Sequence, residues 1–319
     1  MEEHGVGATR SNLAYVKYAI RITVFALVAY GLWRFVSSSW NDVRQSLLSA
    51  DPAWLGVSML LYSVGMVPMG LFWWRVLKAM GQDPTVGETL RAFFVGHLGK
   101  YVPGKALVVV LRTGLIHSHR TDKTMAATSV FIETLTMMAS GACVAGMTIA
   151  VLYRDQWQML VLAGGLMLAT GVPTIPPLFR RIVSWLKVRN ANPAIERALE
   201  GVNARVMAIG WCCNLVGWVF FALSLWAVMR SMGVDAELGV LPRLAATVAL
   251  AMVAGFLSLL PGGIGVREWV VMSLLVAPIG PFEKKIAVSS ALLLRFVWML
   301  SEVAISVILY LWGKRPSTH

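Results

Sequence analysis

Basic side chains flank a helix break in an apolar part of the chain. Lys100 and Lys105 lie on either side of Pro103-Gly104, and Arg112 follows two helical turns later. Charged side chains are costly in apolar surroundings and usually face a cavity or a partner there. A helix that begins after Gly104 would point its free N–H groups and the positive end of its dipole toward the break. The pattern predicts a phosphate site, and lysines that reach out to a membrane interface are the alternative.

A second break carries more glycine and a cation next to an anion. Pro261-Gly262-Gly263 is followed by Arg267-Glu268. Glycines beside a proline permit positive φ angles and close approach of a ligand to the backbone. We therefore expect this turn to form part of the same binding site.

Three more ionisable residues lie inside long apolar stretches: Glu133, Arg295 and Glu302. Arg295 and Glu302 are two helical turns apart and so share one helix face. Ionisable groups at membrane depth are functional candidates by default. We interpret three arginines as lining a cavity, namely Arg112, Arg267 and Arg295. Three acids are expected to hold these arginines in place, namely Glu133, Glu268 and Glu302. The acids could also couple transport to protons, and the alternative is that the ion pairs only lock helices together.

The predicted substrate-binding residues are therefore Lys100, Pro103, Gly104, Lys105, Arg112, Pro261, Gly262, Gly263, Arg267 and Arg295, and the predicted charge-partner or coupling residues are Glu133, Glu268 and Glu302. The cysteines show no metal-ligand spacing. No nucleophile stands beside a base, and the glycines after Pro261 lack the lysine and spacing of a nucleotide-binding loop. We expect no metal, no cofactor and no catalytic residue.

The elements that position these residues must lie in a membrane. Of the 319 residues, 57% are hydrophobic and 14% charged, with a mean hydropathy of +0.69, whereas soluble domains carry roughly 25% charge. Too few charged residues are present to cover a soluble surface, which excludes a soluble enzyme. In a membrane protein the net charge of +12 reflects topology and anionic head groups rather than nucleic acid.

Apolar stretches long enough to cross the hydrocarbon core predict six spanning helices. They cover residues 18–36, 53–77, 124–152, 157–178, 207–231 and 285–312. Two further regions, 86–119 and 242–280, are broken by the Pro-Gly motifs, and each half is short for a span. We expect two re-entrant hairpins, with pairs of ordinary spans as the alternative. The fold class is an all-α polytopic membrane protein.

The distribution of Lys and Arg predicts cytoplasmic termini, because this orientation places roughly twice as many of them inside as outside. Residues 13–153 and 154–319 then run in opposite directions through the same order of elements. This order is an inverted repeat within one membrane domain, 1–319, and it brings the two Pro-Gly tips together near the midplane. The basic linker, residues 179–206, is expected to lie on an anionic leaflet or to form a solvated connector.

The second motif, Leu260-Pro261-Gly262-Gly263-Ile264-Gly265-Val266-Arg267-Glu268, resembles the membrane region shared by lysylphosphatidylglycerol synthases and flippase-like integral membrane proteins. A looser similarity runs from Tyr101-Val102-Pro103-Gly104-Lys105 through Arg112 to Glu133. The resemblance covers most of the chain. Family members often have an acid and an arginine together where this chain has Glu133-Thr134.

The resemblance implies movement of an anionic or phosphate-bearing lipid between leaflets, a phospholipid or a polyprenyl-phosphate-linked sugar, in a bacterial cytoplasmic (inner) membrane. The aminoacyl-transfer domain of the synthases has no counterpart here, so we expect no enzyme. The alternatives are an ion-coupled transporter of a soluble anion and a non-transporting partner of a glycosyl- or acyltransferase. Expected partners are the lipid substrate and anionic membrane lipids, with a lipid-modifying transferase and a second copy of the chain as further candidates, and no nucleic acid.

Overall fold

Helices form nearly all of the part of the chain that the structure, a computed structural model, describes. The described residues are 46–102, 106–152, 157–175, 194–258, 260–276 and 281–312, together with scattered positions before residue 46 and between 154 and 181. The helices are α1 Pro52–Ala79, α2 Val86–His97, α3 Ala106–Ile116, α4 Lys123–Leu152, α5 Trp157–Gly171, α6 Ile195–Glu200, α7 Ala204–Ser231, α8 Leu241–Leu257, α9 Val266–Leu275 and α10 Lys284–Trp312. These ranges contain no strand beyond two isolated bridges. The predicted class, an all-α polytopic membrane protein, is confirmed.

Four of the predicted spans match long apolar helices: α1, α4, α7 and α10. Each has the length and composition to cross a membrane. The stretch predicted at 157–178 is shorter, because α5 ends at Gly171 and continues only as a 3-10 turn, Val172–Thr174. Most of the first predicted span, 18–36, and most of the linker before residue 194 lie outside the described residues.

Helices end before each Pro-Gly motif, and new helices begin after it. In the first broken region, α2 passes into a 3-10 turn, Leu98–Tyr101, and α3 follows. In the second, the turn Pro261–Gly263 separates α8 from α9. Pro103, Gly104 and Lys105 lie outside the described residues.

The prediction that each half of a broken region is short for a span is wrong for α8. This helix has 17 residues, about 26 Å at 1.5 Å per residue, and a 3-10 turn precedes it. With that turn it has the length and composition of a membrane span. Pro242, in the first helical turn, allows this early start because its fixed φ suits a helix N-terminus.

Helices α1 and α7 share the same local signals, a side-chain N-cap at the start and a glycine with positive φ after the end. The Asp51 side chain accepts a hydrogen bond from the Ala53 backbone N–H (2.8 Å), and Asn203 accepts one from Val206 (3.1 Å). Both are standard N-cap interactions. The chain leaves both helices through a glycine with positive φ, Gly81 and Gly233.

The antiparallel pair of α1 and α7 forms the centre of the described fold. The Ser58 hydroxyl donates to the Ser224 carbonyl (2.8 Å), and the Ser224 hydroxyl donates to the Ser58 carbonyl (3.1 Å). The helices approach closely at Gly65, where an added Cβ would lie 2.8 Å from the Phe220 Cβ. Around this pair, α2 packs on α10 and α4 packs on α8.

The close approach at Gly65 predicts that Gly65→Ala lowers stability by about 1–3 kcal/mol, the usual cost of overpacking. The neighbouring atom is the Cβ of Phe220, which cannot move without its backbone. Gly56→Ala is the matched control on the same helix, because nothing lies within 4 Å of its added Cβ. Thermal unfolding of both variants in detergent checks the prediction, and equal midpoints would contradict it.

Candidate functional site

The carboxylate of Glu302, on α10, is the centre of a buried polar cluster. Its side chain is 1% exposed. Oε1 accepts hydrogen bonds from the Tyr62 hydroxyl and the Lys100 ammonium group, and Oε2 accepts one from the Tyr101 hydroxyl at 2.9 Å. One carboxylate therefore joins α1, α10 and the 3-10 turn after α2.

Aromatic packing fixes the Tyr62 side chain in this cluster. Its ring stacks on Trp298 with centroids 4.4 Å apart and on Phe221 at 5.0 Å. The Trp298 indole N–H donates to the Ser224 hydroxyl at 2.9 Å. The Tyr62 hydroxyl is thus held in place by residues from α7 and α10.

His97 lies at the C-terminal end of α2, beside Lys100. Its Nε2 is 3.0 Å from the Lys100 Nζ and 3.6 Å from Glu302 Oε1. An ammonium group only donates hydrogen bonds. The imidazole therefore accepts from charged Lys100 at Nε2 and adds no charge to the cluster.

Arg267, on α9, lies in a slot walled by two glycines. A Cβ added to Gly255 would be 2.5 Å from the Arg267 Cγ, and one added to Gly263 would be 2.9 Å from its Nε. The Nε is buried and has no hydrogen-bond partner. No ion pair joins Arg267 to any residue in the described ranges. Within the described ranges, the structure shows direct ion pairs with acids for Arg112 and Arg295 but not for Arg267.

Arg295 and Glu268 form an ion pair between α10 and α9. The other oxygen of Glu268 accepts from the Gly265 backbone N–H at 2.7 Å and so caps the start of α9. Gly262, in the adjacent turn, has a φ of 57°, a left-handed conformation that favours glycine. This pair neutralises Arg295 and fixes it next to the second Pro-Gly turn.

Arg112 and Glu133 form a second buried pair, between α3 and α4, with Nη1 and Oε2 2.5 Å apart. The guanidinium lies 4.2 Å from the Phe93 ring centroid and 5.4 Å from that of Trp73. The Arg112 side chain is 3% exposed. Arg112 is enclosed by apolar packing, so the structure does not support its predicted place on a cavity wall.

A small cavity lies beside the other two arginines. Its volume is about 30 Å³, and the residues that line it include Arg267, Glu268, Arg295, Ala251 and Ala291. That volume holds about two water molecules, which is too little for a lipid phosphate. The two turns also contact each other: a Cβ on Gly262 would lie 3.4 Å from the Tyr101 ring. The two Pro-Gly turns are therefore in contact in this structure.

The structure brings Lys100, Gly262, Gly263, Arg267 and Arg295 together with Glu268 and Glu302, and it places Arg112 and Glu133 in a separate pair. The sequence analysis missed Tyr62 and Tyr101. A tyrosine in an apolar helix is itself a signal, because its hydroxyl needs a partner once buried. Within the described ranges, no three His, Cys, Asp or Glu side chains are grouped so as to hold a metal ion.

Comparison with known proteins gives one family. The family described as lysylphosphatidylglycerol synthase TM region matches residues 18–305, which cover both Pro-Gly motifs and all of the predicted site residues. This match confirms the resemblance inferred from the motifs. No curated protein matches the chain.

Proposed function

Since this chain belongs to the family of the lysylphosphatidylglycerol synthase transmembrane region, we propose that it moves an anionic, phosphate-bearing lipid between the leaflets, as a flippase or scramblase and not as an enzyme. The observation that carries the proposal is Arg267. A buried guanidinium without an acid partner is costly in a membrane protein unless a ligand or a cavity uses its charge. The Lys100 ammonium group lies in the same cluster and shares its acid partner, Glu302, with two tyrosines.

Lipid transport follows from the chemistry of these groups. A phosphate that crosses hydrocarbon must exchange its water for other charge-assisted hydrogen bonds. Guanidinium and ammonium groups supply such bonds. The acyl chains stay in hydrocarbon if they remain in the bilayer, so their transfer costs no free energy. Only the head group needs the polar route past Lys100 and Arg267.

The inverted repeat is part of this proposal, and three features support it. Ser58 and Ser224 exchange hydrogen bonds across the α1–α7 pair. The helix before each Pro-Gly motif packs on the last long helix of the other half. The helix after each motif forms a buried ion pair with the long helix that follows, Arg112–Glu133 in the first half and Glu268–Arg295 in the second.

We propose that the two Pro-Gly regions alternate in opening, the first as a re-entrant hairpin and the second as a broken helix pair in which α8 is long enough to span. The closed contact between Tyr101 and Gly262 would separate first on one side of the membrane and then on the other, which is how transporters built from inverted repeats give alternating access. Both termini lie in the cytoplasm in this proposal, with the membrane being a bacterial inner membrane. The excess of Lys and Arg on the inner side supports that orientation.

Leaflet exchange in reconstituted vesicles tests the function. The vesicles carry fluorescent phosphatidylglycerol in both leaflets, and a membrane-impermeant reductant bleaches the outer leaflet alone. We expect the protein to make the inner-leaflet fraction accessible, with or without an imposed ion gradient, while protein-free vesicles keep it protected. No exchange of any anionic lipid, combined with uptake of a soluble phosphate ester, would show a soluble-anion transporter instead. No transport of either would favour the non-transporting partner.

A further inference from the structure

Around Glu302, the positively charged side chains outnumber the negatively charged ones. Within the described residues, the cations at the contact between the two turns are Lys100, Arg267 and Arg295, and the acids are Glu268 and Glu302. Arg295 is neutralised by its ion pair with Glu268. His97 accepts a hydrogen bond from Lys100 and carries no charge. The two remaining cations face one acid, so the cluster carries one net positive charge.

Glu302 is bound in the way that a phosphate would be bound. Its donors are one ammonium group and two phenol hydroxyls, each suited to an oxyanion. Both of its oxygens accept hydrogen bonds. Glu302 also links two parts of the fold, because its hydrogen bond with Lys100 joins the first turn to α10. A phosphate that approaches Lys100 must therefore compete with a carboxylate already in place.

We propose that Glu302 is a selectivity residue for the charge of the head group, an inference that rests on the proposed lipid transport. As an internal anion, Glu302 leaves the cluster with one net positive charge. This charge is equal and opposite to the single negative charge of a phosphodiester. A phosphomonoester or pyrophosphate carries more charge, so the repulsion from Glu302 cancels more of its attraction to Lys100 and Arg267 than it does for a phosphodiester. Glu302 therefore shifts the preference of the cluster toward phosphodiester lipids and away from lipids that end in a phosphomonoester.

Substitution of Glu302 by glutamine tests this role. Glutamine keeps the shape and can still accept hydrogen bonds from Tyr62 and Tyr101, but it removes the charge. The full chain in nanodiscs binds fluorescent phosphatidylglycerol, and unlabelled phosphatidylglycerol or phosphatidic acid at pH 7.4 displaces it. We expect Glu302→Gln to improve the affinity for phosphatidic acid relative to phosphatidylglycerol by about tenfold, which corresponds to roughly 1.4 kcal/mol.

Two control variants separate charge from structure. Glu302→Asp keeps the charge and should keep the wild-type preference. Glu283→Gln removes an exposed acid just before α10 and should also leave the preference unchanged. Lys105 lies outside the described residues and is unchanged in every variant. Thermal unfolding of each variant verifies that it is folded.

The outcomes distinguish this inference from the proposed function. An unchanged ratio of affinities in Glu302→Gln, with both lipids bound, overturns the selectivity role and leaves lipid transport standing. Failure of wild type to bind either lipid overturns both. Displacement by glycerol phosphate or inorganic phosphate at the same concentrations as the lipids would identify the ligand as a free phosphate and overturn the lipid assignment.

Discussion

Replacing Arg267 with glutamine should lower the rate of anionic lipid exchange by roughly 10- to 150-fold, because a hydrogen bond to a charged group contributes about 1.5–3 kcal/mol. Arg267 has no acid partner in the described structure, so its removal breaks no ion pair and leaves no buried acid without its counter-ion. The slot between Gly255 and Gly263 remains, with a neutral side chain in it. The vesicle exchange assay measures the effect.

The conservative variant Arg267→Lys separates the effect of the charge from that of the guanidinium geometry. Lysine keeps the charge but lacks the planar fork that binds two phosphate oxygens at once. We expect an intermediate rate. Arg230→Gln is the matched control, because Arg230 pairs with Asp235 at the exposed end of α7 and is far from both Pro-Gly turns along the chain. Exchange by Arg267→Gln at the wild-type rate would remove the main support for the proposed function.

The second large effect concerns stability. Glu133→Gln should lower the free energy of unfolding by about 3–5 kcal/mol, the usual cost of removing one partner of a buried ion pair. Arg112 would then remain charged among apolar groups, with its guanidinium against Phe93 and no carboxylate. Neither residue can reach water, since both side chains are almost fully buried. Unfolding in detergent, followed by tryptophan fluorescence, measures the loss.

A double variant shows whether the loss comes from the pair itself. Replacing Arg112 and Glu133 together, both by glutamine, removes both charges, and we expect it to cost less than the sum of the two single changes. Asp83→Asn is the control for an exposed pair, because the partner of Asp83 is Lys78 on the surface. That variant should unfold like wild type. Strict additivity at Arg112 and Glu133 would show that their ion pair does not stabilise the fold.

These predictions assign different roles to arginines that look alike in the sequence. Arg112 is paired and enclosed, so its loss should affect folding. Arg267 is buried without an acid partner, so its loss should affect transport. Arg295 is paired with Glu268 at the second turn, so it positions the turn.

The sequence by itself determined the helices and the places where they break. A run of about twenty apolar residues must form a helix in a bilayer, since each backbone group needs an internal partner there. Proline lacks an N–H group, and glycine permits positive φ, so both Pro-Gly motifs interrupt helices for local reasons. The prediction that the half containing α8 is short for a span was wrong, because the 3-10 turn Leu238–Val240 before α8 adds to its length.

Only the tertiary structure decided which charges meet. Arg295 and Glu302 share a helix face, as their spacing predicts, yet each binds a residue from another element. Glu302 binds Lys100, 202 positions earlier in the chain, and Tyr62, 240 positions earlier. Spacing along one helix fixes the direction in which a side chain points, but the partner depends on how α1, α2 and α10 pack. That packing is a long-range property of the whole chain, and it leaves Arg267 without an acid partner in the described structure.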